Sequence, residues 1–170
     1  KKMLYLNPCL LHFLLKKLEK NIISYLCAQI DFGVKILMIF DTWGGILRDV
    51  EYEKFSFNYI VNIVNQVNLY KKVPFIFFGR NINNVIIQIL NTSKEFKIDV
   101  IGFDWEHDIN TIYDKISSHI CIQGNLDPCF LYSDSITIVK EVKNIIEKFF
   151  NKNGYIFNLG HGIFPDVDPY

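Results

Sequence analysis

Cysteine is scarce in this chain and badly spaced for chemistry. The four residues, Cys9, Cys27, Cys121 and Cys129, form no CxxC and no Cys/His pair at ligand spacing. That argues against a zinc site and against a disulfide framework. They are expected to pack as small apolar side chains in a reducing compartment. Net charge is lacking too: 18 Lys and Arg balance 18 Asp and Glu. Phosphate binding needs clustered cations, so nucleic acid is not an expected partner. No apolar run approaches the roughly 18–20 residues of a membrane span, so no membrane is expected either. No fixed period recurs, which excludes a solenoid. Neither a signal peptide nor an Arg/Ser-rich transit peptide opens the chain, which begins at Lys1. The expectation is that the natural start has been removed or that this is a piece of something longer.

Half of the 170 residues are apolar, enough for a sizeable core. Asn7-Pro8 reads as an N-cap followed by proline at the first helical position. Leu11, Leu14, Leu15, Leu18, Ile22 and Leu26 follow at helical spacing and are expected to face the core, with Asp31-Phe32-Gly33 as the stop. Short continuous apolar runs then alternate with helical patterns. The runs are Val34 to Phe40, Pro74 to Phe78, Asp99 to Phe103, His119 to Gln123 and Tyr155 to Leu159. Such runs suit strands buried on both faces of a parallel sheet. The helical patterns between them run from about Glu53 to Tyr70, from a cap at Asn84, from a cap at Asp108, and from a cap at Ser133 or Ser135. The last carries Ile138, Val142, Ile145, Ile146 and Phe149, with Gly154 beyond its end.

Alternation of this kind predicts an α/β fold with parallel strands. A doubly wound sheet would show a glycine-rich phosphate turn after its first strand. Gly44-Gly45 lacks the third glycine, and no GxxxxGK[ST] is present. Instead every predicted strand ends in polar residues: Asp41/Thr42, Arg80/Asn81, Asp104/Glu106, Asn125/Asp127 and His161. Polar groups at successive C-terminal strand tips are the arrangement of a βα barrel. Five strands cannot close one, so the prediction is a partial (β/α)8 barrel, one domain over 1–170, with three strands missing on the N-terminal side.

Four segments carry a specific resemblance: Phe40-Asp41-Thr42-Trp43-Gly44-Gly45, Gly102-Phe103-Asp104-Trp105, Gln123-Gly124-Asn125-Leu126-Asp127-Pro128 and Asn158-Leu159-Gly160-His161-Gly162-Ile163. In order and spacing they resemble the later part of uroporphyrinogen decarboxylase, from before the fourth barrel strand to just after the eighth. The Asp-Thr-Trp-Gly-Gly form is more similar to bacterial and plastid members, which implies cytoplasm or plastid as location.

The resemblance implies a homodimer that removes carbon dioxide from the four acetates of uroporphyrinogen, without metal or other cofactor. It implies that Thr42 and His161 contact the substrate. Arg80 stands where the family pattern has lysine, Asn81 where it has glycine, and Glu106 where it has threonine. Arg80 is therefore a third expected contact of changed geometry, and Glu106 is expected to turn outward from an anionic ligand. The family's principal arginines, its pyrrole-binding aspartate and a tyrosine of the cleft belong to strands not present here. The chain alone is thus expected to be inactive, and no catalytic residue is assigned within it.

Other readings stay open on the residues themselves. Asp41 and Asp104 are expected to bond loop backbone, and Asp127 to cap a helix. Trp43 and Trp105 suit packing as well as stacking on a tetrapyrrole. His12, His107 and His119 read as structural or surface residues. A corrinoid or thiol methyltransferase of the same superfamily would want a His-x-Cys pair at a strand tip, but Phe77-Phe78-Gly79-Arg80 has none. The non-enzyme alternative is an inactive barrel fragment that associates with its missing half or with itself.

Overall fold

A computed structural model describes residues 1–81, 97–106, 108–113, 115–116, 120–150 and 154–168. Its elements are α1 (Lys2–Leu6), α2 (Pro8–Asp31), β1 (Leu37–Asp41), α3 (Asp49–Tyr52), α4 (Asn58–Tyr70), β2 (Phe75–Gly79), β3 (Val100–Gly102), α5 (Ile109–Tyr113), β4 (Cys121–Gln123), α6 (Ser135–Phe149) and β5 (Tyr155–Ile156). A π-helical turn, Glu53–Phe57, joins α3 to α4. The helix predicted from Asn84, along with His107 and His119, lies outside the described residues.

All five strands are parallel, and their order in the sheet is their order in the chain. A doubly wound sheet reverses direction at a switch point; a βα barrel does not. The arrangement is the α/β fold of a partial barrel. β1 and β5 are the two edges. β1 starts at Leu37, three residues later than the apolar run suggests, because Val34 pairs back onto the end of α2 through Gln29.

One face of the sheet is sealed by helices. Leu37, Phe75, Phe77, Ile101 and Ile122 join Phe57, Ile60, Val64 and Val67 of the α4 segment and Leu26 and Ile30 of α2 in one apolar cluster. α6 docks through Ile145 and Phe149, whose ring stacks on Tyr155 with centroids 4.1 Å apart. Strand alternation turns Met38, Phe40, Ile76, Phe78, Gly102, Gln123 and Ile156 to the other face. No described helix covers that face. Phe40 is 65% exposed and Ile156 40%.

Helix α2 begins as predicted, with the Asn7 side chain accepting from Leu10 N at 3.0 Å and Pro8 at the first position. Its leucine stripe does not face the core throughout. Leu14, Leu18 and Ile22 are exposed. The docked face is rotated from theirs: His12 stacks on Phe55, Glu19 accepts from Asn62, Ile23 packs on the core, and Leu26 and Ile30 are buried. Apolar residues lie on both faces of this helix, and periodicity alone cannot say which one the chain itself covers.

Three further expectations are corrected. α6 is capped by Asp134, whose carboxylate accepts from Ile136 N and Thr137 N at 2.9 Å, not by Ser133 or Ser135. Ile146 is 44% exposed, since the buried positions of that helix are 145 and 149. All four cysteines are free, but Cys9 and Cys129 are exposed where packing was expected. Each sits in the first turn of its helical segment on the solvent side.

Candidate functional site

The C-terminal ends of the strands meet on one rim, and the closest approaches there are made by glycine. A Cβ at Gly45, just after β1, would stand 2.1 Å from the Arg80 carbonyl oxygen after β2. A Cβ at Gly160, after β5, would stand 2.4 Å from the Trp105 backbone nitrogen after β3. A larger residue at either place would push neighbouring strand tips apart. Leu126 and Leu159 form a parallel bridge, and Gly160 N donates to the Leu126 carbonyl at 2.8 Å, which locks the β4 and β5 tips together.

Asp104 ties the middle of the rim. It is completely buried, and its carboxylate accepts from Asn81 N at 2.8 Å and from Glu106 N at 3.1 Å. Its backbone carbonyl accepts from the Asn125 amide at 2.7 Å. Backbone bonding is the role expected of it. Asp127 also does what was expected, accepting from Cys129 N at the start of the turn Pro128–Tyr132. Asp41 does not bond loop backbone through its side chain. Strand alternation turns it to the helix-covered side, where it accepts from the Ser56 hydroxyl beneath the rim. Burial, then the Asp41 charge, holds the Tyr52 hydroxyl far above the usual phenol range. Tyr155 is pushed up to about 12 by burial, and its hydroxyl donates to the Gly124 carbonyl.

Over the open face the rim presents an aromatic and cationic cluster. The His161 ring leans inward, edge-on to Trp105 at 5.8 Å and to Phe78 at 6.4 Å between centroids. The Arg80 guanidinium lies over the Trp105 ring at 5.1 Å from its centroid, a cation–π contact. A Glu106 carboxylate oxygen stands 3.6 Å from an Arg80 terminal nitrogen. Glu106 therefore does not simply turn outward: the guanidinium on the neighbouring strand tip holds it on the rim. Among the described residues the buried Arg80 Nε has no acceptor. Beside this cluster a cleft of ≈360 Å³ opens between the β3–β4 tips and α6, with Trp105, Glu106, Asp127, Glu141 and Lys148 in its lining.

Of the expected contacts, Arg80 and His161 are brought together through Trp105. Thr42 is half-buried at the tip of β1, on the opposite edge strand from His161. Trp43 is 72% exposed and packs on nothing that buries it, contrary to the packing expectation. His12 is structural, with Nδ1 2.7 Å from the Tyr59 hydroxyl. Sequence reasoning missed Phe78 as a neighbour of His161. Alternation along β2 could have found it, because Phe78 shares its face with Phe40, its partner in β1. Among the described residues no three His, Cys, Asp or Glu side chains are placed to hold a metal ion. No described helix is long and apolar enough to cross a membrane.

The family model described as "Uroporphyrinogen decarboxylase (URO-D)" matches residues 1–170. A protein of Vesicomyosocius okutanii named uroporphyrinogen decarboxylase is 42% identical over 170 residues, covering 99% of this chain and 48% of its own. One of the same name from Ruthia magnifica is 42% identical over 172 residues, with the same coverage. The chain thus spans about half the length of the curated relatives it matches. Among solved structures, a methyltransferase from Methanosarcina mazei superposes with a TM-score of 0.70 at 15% identity, covering 88% of this chain and 43% of that one. At that identity the likeness speaks for the fold alone.

Proposed function

Since this chain belongs to the uroporphyrinogen decarboxylase family, we propose that it is the C-terminal portion of a uroporphyrinogen decarboxylase. In this reading its strand tips form one wall of the substrate cleft. The observation that carries the proposal is the convergence of Arg80, Trp105 and His161 over the open face of the sheet. Uroporphyrinogen is a flexible octacarboxylate with a ring of pyrrole N–H groups. Binding it calls for cations and hydrogen-bond donors around an apolar floor. Arg80 supplies the cation, His161 and Thr42 supply donors, and Phe40 and Phe78 supply the floor.

The chemistry asks little of a cofactor. Protonation of a pyrrole ring makes it an electron sink. The bond between the acetate methylene and its carboxylate then breaks and its electron pair flows into the ring, carbon dioxide leaves, the methylene takes up a proton to become methyl, and the ring gives up its added proton to regain aromaticity. Repeated on four acetates, this gives coproporphyrinogen. The wall must hold the departing carboxylate's neighbours and stabilise the transient cation electrostatically. The family's principal arginines and aspartate belong to the first three strands, so this chain by itself is expected to be inactive. The exposed apolar side of α2 and the free edges of β1 and β5 are where those strands would complete the barrel. A cytoplasmic homodimer accompanies this reading. A methyltransferase is the weaker alternative, because no His-x-Cys pair stands at the tip of β2.

The test is coproporphyrinogen formation from uroporphyrinogen by this chain, alone and mixed with the first half of the Vesicomyosocius okutanii relative. Activity is expected only in the mixture, lowered about tenfold or more by His161→Ala or Thr42→Val. Activity of the chain alone would refute the need for the first strands. A stable but inactive mixture would refute the decarboxylase reading.

A further inference from the structure

Arg80 is a guanidinium with donors to spare. Its contact with Glu106 is 3.6 Å, an ion pair too long for a good hydrogen bond. Its Nε is buried and, among the described residues, has no acceptor. Trp105 lies beneath the planar group and fixes its orientation. Asp104 cannot serve it well, because its oxygens already accept the Asn81 and Glu106 backbone N–H groups. An arginine held flat, with its side chain a third exposed and its terminal nitrogens only loosely engaged, is prepared for a two-point contact with a carboxylate.

Glu106 is the opposite case. Its side chain is 41% exposed and its hold on Arg80 is loose. Leaving Arg80 would not strand a buried charge, and the adjoining cleft that it lines, with Lys148 on the far wall, has room for it. Asp127 and Glu141 share that lining, which makes the cleft the poorer seat while Arg80 is free.

Resting on the decarboxylase reading above, we propose that Glu106 is a built-in competitor for Arg80, occupying the guanidinium until a substrate carboxylate displaces it. Glu106 then sets a threshold: only ligands with a strong, correctly spaced carboxylate take Arg80, and a product that has lost a carboxylate there is expelled as Glu106 returns. Glu106 is a specificity-determining residue in this account, not a catalytic one.

The competition can be tested without any tetrapyrrole, using benzenehexacarboxylate and calorimetry on the 170-residue chain. Glu106→Gln should tighten binding about threefold to fivefold, the size of a part-exposed ion pair. Glu106→Asp, which keeps the charge but shortens the reach, should tighten it less. Arg80→Ala should weaken it about tenfold or more. In nitrogen-detected spectra the Arg80 Nε–H resonance should move on ligand addition in wild type and in Glu106→Gln, which places the bound carboxylate on Arg80 itself. Equal binding by wild type and Glu106→Gln, or binding untouched by Arg80→Ala, would overturn the proposal. Uroporphyrin serves as a second ligand. If benzenehexacarboxylate shows the competition and uroporphyrin binds to no variant, Glu106 keeps its role and the substrate reading fails.

Discussion

The two faces of the sheet are made from alternate residues of the same strands, and they part company at the sheet edges. Phe77 and Ile101, turned towards the helices, are 1% and 0% exposed, whereas Phe40, turned the other way on the edge strand, is 65% exposed. The difference is not one of composition, since both faces are apolar and aromatic. It lies in what the chain itself brings to cover them. α2, α4 and α6 close one face; among the described residues no helix lies on the other, where Ile76, Phe78 and Gln123 are buried and the edge residues Phe40 and Ile156 stay open. Stability should therefore reside on the helix side, and binding on the open side.

Mutations sharpen that division. Phe77→Ala removes a ring buried in the core cluster and should cost about 3–5 kcal/mol in urea denaturation. Phe40→Ala should cost less than about 1 kcal/mol in the isolated chain, because its ring is already in water. Similar losses from both would mean that the open face is covered in solution by something else, a second copy included. On the rim between the faces, Asp104→Ala strands two backbone N–H groups and should lose about 3 kcal/mol. Asn81 adopts φ +56, a left-handed conformation that asparagine tolerates and β-branched residues resist. Asn81→Val should then cost about 1–2 kcal/mol and Asn81→Gly close to nothing, again by denaturation.

The smallest effects belong to helix ends, away from both faces. Asn7→Ala should lose about 1 kcal/mol through its cap on Leu10 N. Asp134 accepts from Thr137 and Ile136, which lowers its carboxyl below the ordinary range. The folded form binds that proton less tightly than the unfolded chain. The stabilisation is thus full above about pH 4 and fades as pH falls through the lower folded value. Asp134→Asn, which caps without titrating, should flatten that part of the acid limb of a stability–pH curve; an unchanged limb would show that the cap is not formed.

Much of this was legible from residues. Continuous apolar runs that stop at Asp41, Arg80, Asp104, Asn125 and His161 foretold parallel strands with a polar rim, because a two-faced buried strand has no other way to write itself. The Asn7-Pro8 and Asp127-Pro128 pairs marked helical starts correctly. The orientation of α2 was not legible, since its leucines line two sides and nothing local says which one meets α4. Nor was the partner of Glu106. Arg80 lies 26 positions earlier in the chain, and only the pairing of β2 with β3 brings the two together. Asn81 is the reverse lesson. Its departure from the family's glycine looked arbitrary in sequence and is explained by one backbone angle.

The central claim is that the open face and the two sheet edges are the seat of the first three barrel strands. Hydrogen exchange at the amides of β1 and β5 tests it most directly, with and without the first half of the Vesicomyosocius okutanii relative. The account predicts that the amides of Met38, Phe40, Tyr155 and Phe157, which point away from the neighbouring strand, exchange quickly in the chain alone and become strongly protected in the mixture, while β2 is slow in both. Edges already protected in a monomeric chain, or edges unprotected in a mixture that nonetheless forms a complex, would contradict it.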